Sequence, residues 1–75
     1  MNYRLETLHE SMELSLVQVW AMLMGHENDA TPTLATPYQD VEIAHAILLA
    51  VREGAAVQFD TVLYGEKVVL SAFDG

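Results

Sequence analysis

Three histidines and eleven carboxylates are the side chains of this sequence that could bind a metal ion or transfer a proton. His9 and Glu13 stand four residues apart, His26 precedes Glu27, and His45 lies in an apolar run. Zinc sites need several ligands at matched spacing, as in HExxH, and the sequence has no such pattern. With this many carboxylates, an acidic neighbour for each histidine is expected by chance. We therefore predict no metal site and no cofactor.

Nucleophilic chemistry also lacks a basis in the sequence. There is no cysteine, and Ser11, Ser15 and Ser71 have no glycine-flanked turn that would expose a reactive hydroxyl. The four glycines stand singly, so no glycine-rich loop is present to bind a phosphate. We predict that the protein is not an enzyme.

The charge balance argues against direct binding of nucleic acid. Three basic residues against eleven acidic ones give a net charge of -8, whereas proteins that bind nucleic acid directly use Lys and Arg on the phosphates. An acidic surface of this kind favours a basic partner. The residues expected to form it are Glu6, Glu10, Glu13, Asp40 and Glu42.

The sequence predicts a cytoplasmic protein that does not bind membranes. Its most apolar run, residues 14–24, is about half the roughly 20 residues that a bilayer span needs, and Gln18 interrupts it. Glu6, Glu10 and Glu13 occupy the region where a secretory signal would be basic. The absence of cysteine fits a reducing compartment.

A chain of 75 residues predicts a single domain, residues 1–75. Its first element is expected to be a helix over about residues 5–24, which begins at Asn2 or at a capping box of Thr7 and Glu10 and ends at Gly25. A loop over residues 25–36 should follow. The helix is predicted from apolar residues at alternating spacings of three and four: Leu5, Leu8, Met12, Leu16, Val19 and Leu23.

The second helix is predicted over about residues 37–53. Thr36 would cap it, Pro37 would take its first position, and Gln39 would complete the capping box. Gly54 should end it. Its apolar face should comprise Val41, Ala44, Leu48 and Val51.

Alternating side chains predict a β-hairpin over about residues 56–73. Gly65 and Glu66 would form its turn, which places Leu63 opposite Val68. The expected inner face comprises Val57, Phe59, Leu63, Val68, Leu70 and Ala72. The fold class is therefore α+β, two helices followed by a C-terminal antiparallel hairpin (ααββ), completed by oligomerisation because a lone hairpin is marginally stable.

The predicted outer face of the hairpin is apolar where solvent would be expected, and apolar patches mark interfaces. We expect a small interaction module that forms a homodimer or larger assembly and binds another protein, as an inhibitor encoded by a phage or mobile element would. The alternative is an acidic DNA mimic that inhibits a nuclease, a repressor, or restriction or CRISPR machinery. The expected interface comprises Trp20, Val62, Tyr64, Val69 and Phe73.

Overall fold

The structure, a computed structural model, describes residues 2–26, 32–62 and 65–73. Within these ranges, four antiparallel strands form one sheet in the order β2-β1-β4-β3. Two helices lie between β2 and β3 in the chain, so the predicted ααββ order is wrong. The elements are β1 (Asn2–Glu6), β2 (Ser11–Leu14), α1 (Leu16–Met24), α2 (Val41–Arg52), β3 (Val57–Asp60) and β4 (Lys67–Phe73).

The first correction concerns the helix predicted over residues 5–24, whose first half is a β-hairpin. In β1 and β2 the side chains alternate in burial, with Leu5 opposite Met12 and Tyr3 opposite Leu14. The apolar residues of this segment fit both the period of two of a strand and the longer period of a helix. The strand is favoured because pairing with β4 buries Tyr3 and Leu5.

Thr7 and Glu10 do interact, but in a turn that joins β1 to β2. The Thr7 hydroxyl accepts from the Glu10 N–H at 3.0 Å, as a helix N-cap would. The Thr7 N–H donates to the Glu10 carbonyl at 2.8 Å and closes the hairpin instead. The contact between Thr7 and Glu10 that was predicted to cap a helix therefore stabilises a turn.

Helix α1 begins at a different capping box from the one predicted. The Ser15 side chain accepts from the Gln18 N–H, and the Gln18 side chain accepts from the Ser15 N–H. Gly25 ends the helix in the left-handed conformation, as predicted. A Cβ at Gly25 would lie 2.6 Å from the Cβ of Pro37, so the chain approaches the helix end closely there.

Helix α2 begins later than residue 37, and Thr36 does not cap it. Asp40 is the N-cap, and its carboxylate accepts from the N–H groups of Glu42 and Ile43. Gln39 has a positive φ of 53°, which a helix interior excludes. The segment before Gln39 pairs with the end of α1 and does not join α2: the Tyr38 N–H donates to the Leu23 carbonyl at 2.9 Å.

The hairpin of β3 and β4 forms with a different register. Phe59, not Leu63, lies opposite Val68, so the two-residue turn at Gly65 and Glu66 is wrong. Beyond β3, the N–H and the hydroxyl of Thr61 both donate to the Glu66 carbonyl. The Val62 N–H donates to the Thr33 carbonyl, and Leu34 forms an isolated antiparallel β-bridge with Thr61. Residues 33–35 therefore pair with the end of β3 and the chain just after it.

Both helices pack on one face of the sheet. That face carries the inward side chains of all four strands, including Val68 and Leu70 as predicted, and neither has exposed surface. Neither helix of the described chain covers the other sheet face, which antiparallel sheets tolerate when that face is largely polar. The core comprises Tyr3, Leu5, Leu14, Val19, Met22, Leu23, Leu34, Ala44, Leu48, Val51, Phe59, Val68 and Leu70.

Candidate interaction site on the open face of the sheet

The sheet face away from the helices, here called the open face, is formed by every second residue of each strand. In β1 and β2 these residues alternate with the buried ones, and in β3 and β4 they do the same. The described residues of the open face are Asn2, Arg4, Glu6, Ser11, Glu13, Gln58, Asp60, Lys67, Val69, Ser71 and Phe73.

Two apolar side chains of β4 lie within this polar face. Val69 has Glu6 on one neighbouring strand and Gln58 on the other, and it is half-buried. Phe73 is also half-buried, and the guanidinium carbon of Arg4 lies 4.5 Å from the centroid of its ring. A cation over an exposed aromatic ring contributes about 0.5–1 kcal/mol. The contact therefore orients Phe73 without burying it completely.

The charges of the open face are close to balanced. Arg4 lies opposite Glu13, and Lys67 lies opposite Asp60. The Arg4 Nη1 is also 4.0 Å from the Glu6 Oε1, and each side chain is about half exposed. Exposed pairs of this kind contribute at most about 1 kcal/mol. Arg4 and Lys67 are two of the three basic residues of the chain, so this face carries most of the positive charge.

A shallow groove of about 340 Å³ crosses one end of the open face. Its apolar lining residues are Val69 and Leu8, and Leu8, at the tip of the β1–β2 turn, is 80% exposed. The turn is fixed because the Thr7 hydroxyl accepts from the N–H groups of His9 and Glu10. An exposed leucine on a constrained turn is suited to contact another protein.

The predicted interface residues do not lie on one surface. Val69 and Phe73 share the open face, whereas Trp20 packs against the core on the helix side. Val62 follows β3 in a loop and is 66% exposed, because the observed register removes it from the position opposite Val69. Tyr64 lies outside the described residues. The described members of the predicted interface therefore do not form one contiguous patch, and a role in contacts for each residue stays a prediction.

The predicted acidic residues are also divided between two regions. Glu6 and Glu13 lie on the open face and Glu10 lies in the adjoining turn, all of them exposed. Asp40 and Glu42 lie at the start of α2, where Asp40 accepts hydrogen bonds from the helix N-terminus. The first region adjoins the groove, and the second flanks a helix.

The described residues contain no group of three His, Cys, Asp or Glu side chains that could hold a metal ion. The three histidines lie on different parts of the fold: His9 in the β1–β2 turn, His26 after α1 and His45 on α2. Within the same described ranges, no helix is long and apolar enough to cross a bilayer.

Sequence reasoning overlooked Arg4, Leu8 and Lys67 as parts of this surface. The available signal was the alternation of polar and apolar residues in the first strand, where Tyr3 and Leu5 are separated by Arg4. Extending that alternation would have placed Arg4 on the side opposite Tyr3. Leu8 had no such signal, because only the turn geometry exposes it.

Comparison with known proteins gives no further guide to this surface. No family model matches the chain, and neither a curated protein nor a solved structure matches it.

Proposed function

We propose that this protein is a non-enzymatic interaction module that self-associates through the open face and binds another protein. The observation that carries this proposal is the charge balance of that face. Two basic side chains, Arg4 and Lys67, stand among the carboxylates Glu6, Glu13 and Asp60, so most of the net charge of -8 lies elsewhere. Two such faces therefore repel each other less than the more acidic parts of the surface would.

The apolar part of the open face supplies a modest driving force. Val69 and Phe73 are half-buried, so their further burial should contribute about 2 kcal/mol per subunit. In a symmetric dimer both subunits contribute this free energy, and the entropy of association offsets part of the total. We therefore expect a reversible homodimer rather than an obligate one.

The test compares two substitutions of exposed or half-exposed valines. Val69→Lys places a charge at the centre of the open face, whereas Val62→Lys makes the same change in the loop after β3. Sedimentation velocity at tens of micromolar should give a dimer for the wild type and for Val62→Lys. Val69→Lys should give a monomer, with circular dichroism unchanged.

A wild-type protein that is monomeric under these conditions would refute self-association. Dissociation by Val62→Lys alone would move the interface to the loop. A dimeric, folded Val69→Lys would show that the open face is not the contact.

The acidic DNA-mimic alternative has weaker support. A mimic needs rows of carboxylates without intervening cations, whereas Arg4 stands beside Glu6 and opposite Glu13 on the open face. Asp40 is engaged in capping α2. A mimic would lose affinity for its basic partner steeply as salt rises. The self-association proposed here should not.

A further inference from the structure

Helix α2 has a second apolar surface in addition to the one that packs on the sheet. Its core side is formed by Ala44, Leu48 and Val51. On the other side Ile43 is 47% exposed and Leu49 is 43% exposed. The complete surface, here called the α2 outer surface, comprises Ile43, Ala46, Leu49 and Ala50, together with Ile47 at its border, where it also packs against the core.

The spacing of these residues suits contact with another helix. Ile43, Ala46, Ile47 and Ala50 follow the pattern i, i+3, i+4, i+7, so they form one stripe along α2. Because alanine is smaller than isoleucine, we expect hollows at the two alanine positions of the stripe. Side chains of a second helix can enter these hollows at an axis separation of about 8–10 Å.

A carboxylate stands at each end of this surface. Glu42 lies in the same row of the helix as Ala46 and Leu49, Glu53 continues this row at the C-cap position, and both carboxylates are exposed. They are about 16 Å apart along the axis. Glu53 follows the last helical turn, where the helix dipole is also negative; Arg52 already supplies one cation at that end, and a further cation is favoured beside Glu53.

The positions of these carboxylates argue against a second copy of this chain. In an antiparallel two-fold pairing of α2 with itself, Glu42 would approach Glu53 of the other copy at both ends. In a parallel two-fold pairing each carboxylate would approach its own equivalent. Both arrangements place like charges together beside an apolar contact, which is unfavourable.

We infer that the α2 outer surface binds an amphipathic helix of a basic partner protein, whose apolar side enters the hollows and whose Lys or Arg residues meet Glu42 and Glu53. This inference rests on the proposed function, because it specifies the other protein that the module binds. It assigns that partner to a surface separate from the open face.

The test uses two synthetic amphipathic helical peptides with the same Leu and Ala face. One carries lysines at the two positions that match Glu42 and Glu53, and the other carries glutamates there. Binding is measured by fluorescence anisotropy of the labelled peptides. The wild type should bind the lysine peptide at least about tenfold more tightly, a ratio typical of one or two well-placed charge pairs.

Three variants make the result specific. Glu42→Lys with Glu53→Lys should reverse the preference between the peptides. Glu10→Lys with Glu66→Lys makes the same charge change in the turns of the sheet and should preserve the preference. Ala46→Arg, at an exposed position of the stripe, should abolish binding of both peptides while circular dichroism stays unchanged.

The outcomes separate this inference from self-association. Equal or no binding of the two peptides, or a preference unaffected by Glu42→Lys with Glu53→Lys, would overturn it. A fall of the dimer mass in Ala46→Arg would show that a second copy occupies the α2 outer surface, which also overturns it. A monomeric wild type that binds the lysine peptide through α2 would refute self-association alone.

Discussion

Leu5 of β1 lies directly opposite Leu70 of β4, and neither side chain has exposed surface. The first and last strands of the chain are thus the central pair of the sheet, with β2 and β3 at its edges. Bringing the two ends together costs loop-closure entropy, which the burial of these side chains must offset. The N-terminal strand is therefore required for the core and not an appendage to it.

Leu5→Ala and Leu8→Ala test the strand against the predicted helix. Both leucines lay on the stripe of the predicted helix, which would make both costly to remove. In the structure Leu5 has no exposed surface and Leu8 is 80% exposed. We expect Leu5→Ala to lower the free energy of unfolding by about 2–4 kcal/mol and Leu8→Ala by less than about 0.5 kcal/mol. Urea denaturation measures both, and equal losses would contradict the hairpin.

Gly25→Ala tests the approach of residue 37 to the end of α1. A methyl group at Gly25 would meet Pro37 at 2.6 Å, in a backbone conformation with φ 78°. Gly65→Ala is the matched control, because Gly65 has φ 62° and nothing within 4 Å of the added Cβ. Both variants should lose about 1 kcal/mol from the positive φ.

The contact with Pro37 should add about another 1–2 kcal/mol to the loss in Gly25→Ala. Thermal melting of the two variants side by side measures this difference. A Gly65→Ala protein as unstable as Gly25→Ala would show that the close approach has no energetic effect.

Asp40→Ala and Thr36→Ala test where α2 begins. The Asp40 carboxylate accepts from the Glu42 N–H at 2.9 Å and from the Ile43 N–H at 3.3 Å. Its removal should cost about 1 kcal/mol of unfolding free energy, whereas Thr36→Ala should cost less than about 0.5 kcal/mol. Chemical denaturation followed by circular dichroism measures both. A larger loss in Thr36→Ala would restore the predicted cap.

The C-terminal part of the fold was the more predictable from sequence. Helix α2 and both strands of the last hairpin occur, although the hairpin register is wrong. The register differs by an even number of residues, with Phe59 in place of Leu63 opposite Val68. A strand has a period of two, so an even shift keeps each side chain on its predicted face. The described members of the predicted inner face, Val57, Phe59, Val68, Leu70 and Ala72, therefore lie in or against the core although the pairing is wrong, and Leu63 lies outside the described residues.

The N-terminal part was less predictable because two periods fit the same residues. Leu5 and Met12 satisfy both the helical stripe and the strand alternation. The choice depends on β4, which lies far away in the sequence and supplies the pairing partner of β1. Local patterns carry no information about that partner. The same non-local pairing brings Arg4 to Phe73, so the open face could not be assembled from sequence alone.

The response of the dimer to salt tests whether the open face is the contact. Each chain carries a net charge of -8, so two chains repel at low ionic strength. Added salt shortens the range of that repulsion, while burial of Val69 and Phe73 is largely unaffected. Raising the salt concentration from about 20 mM to about 300 mM should therefore strengthen dimerisation several-fold, as measured by sedimentation equilibrium. Dissociation of the dimer by salt would contradict an apolar contact and indicate that ion pairs of Arg4 and Lys67 across the interface hold the subunits together.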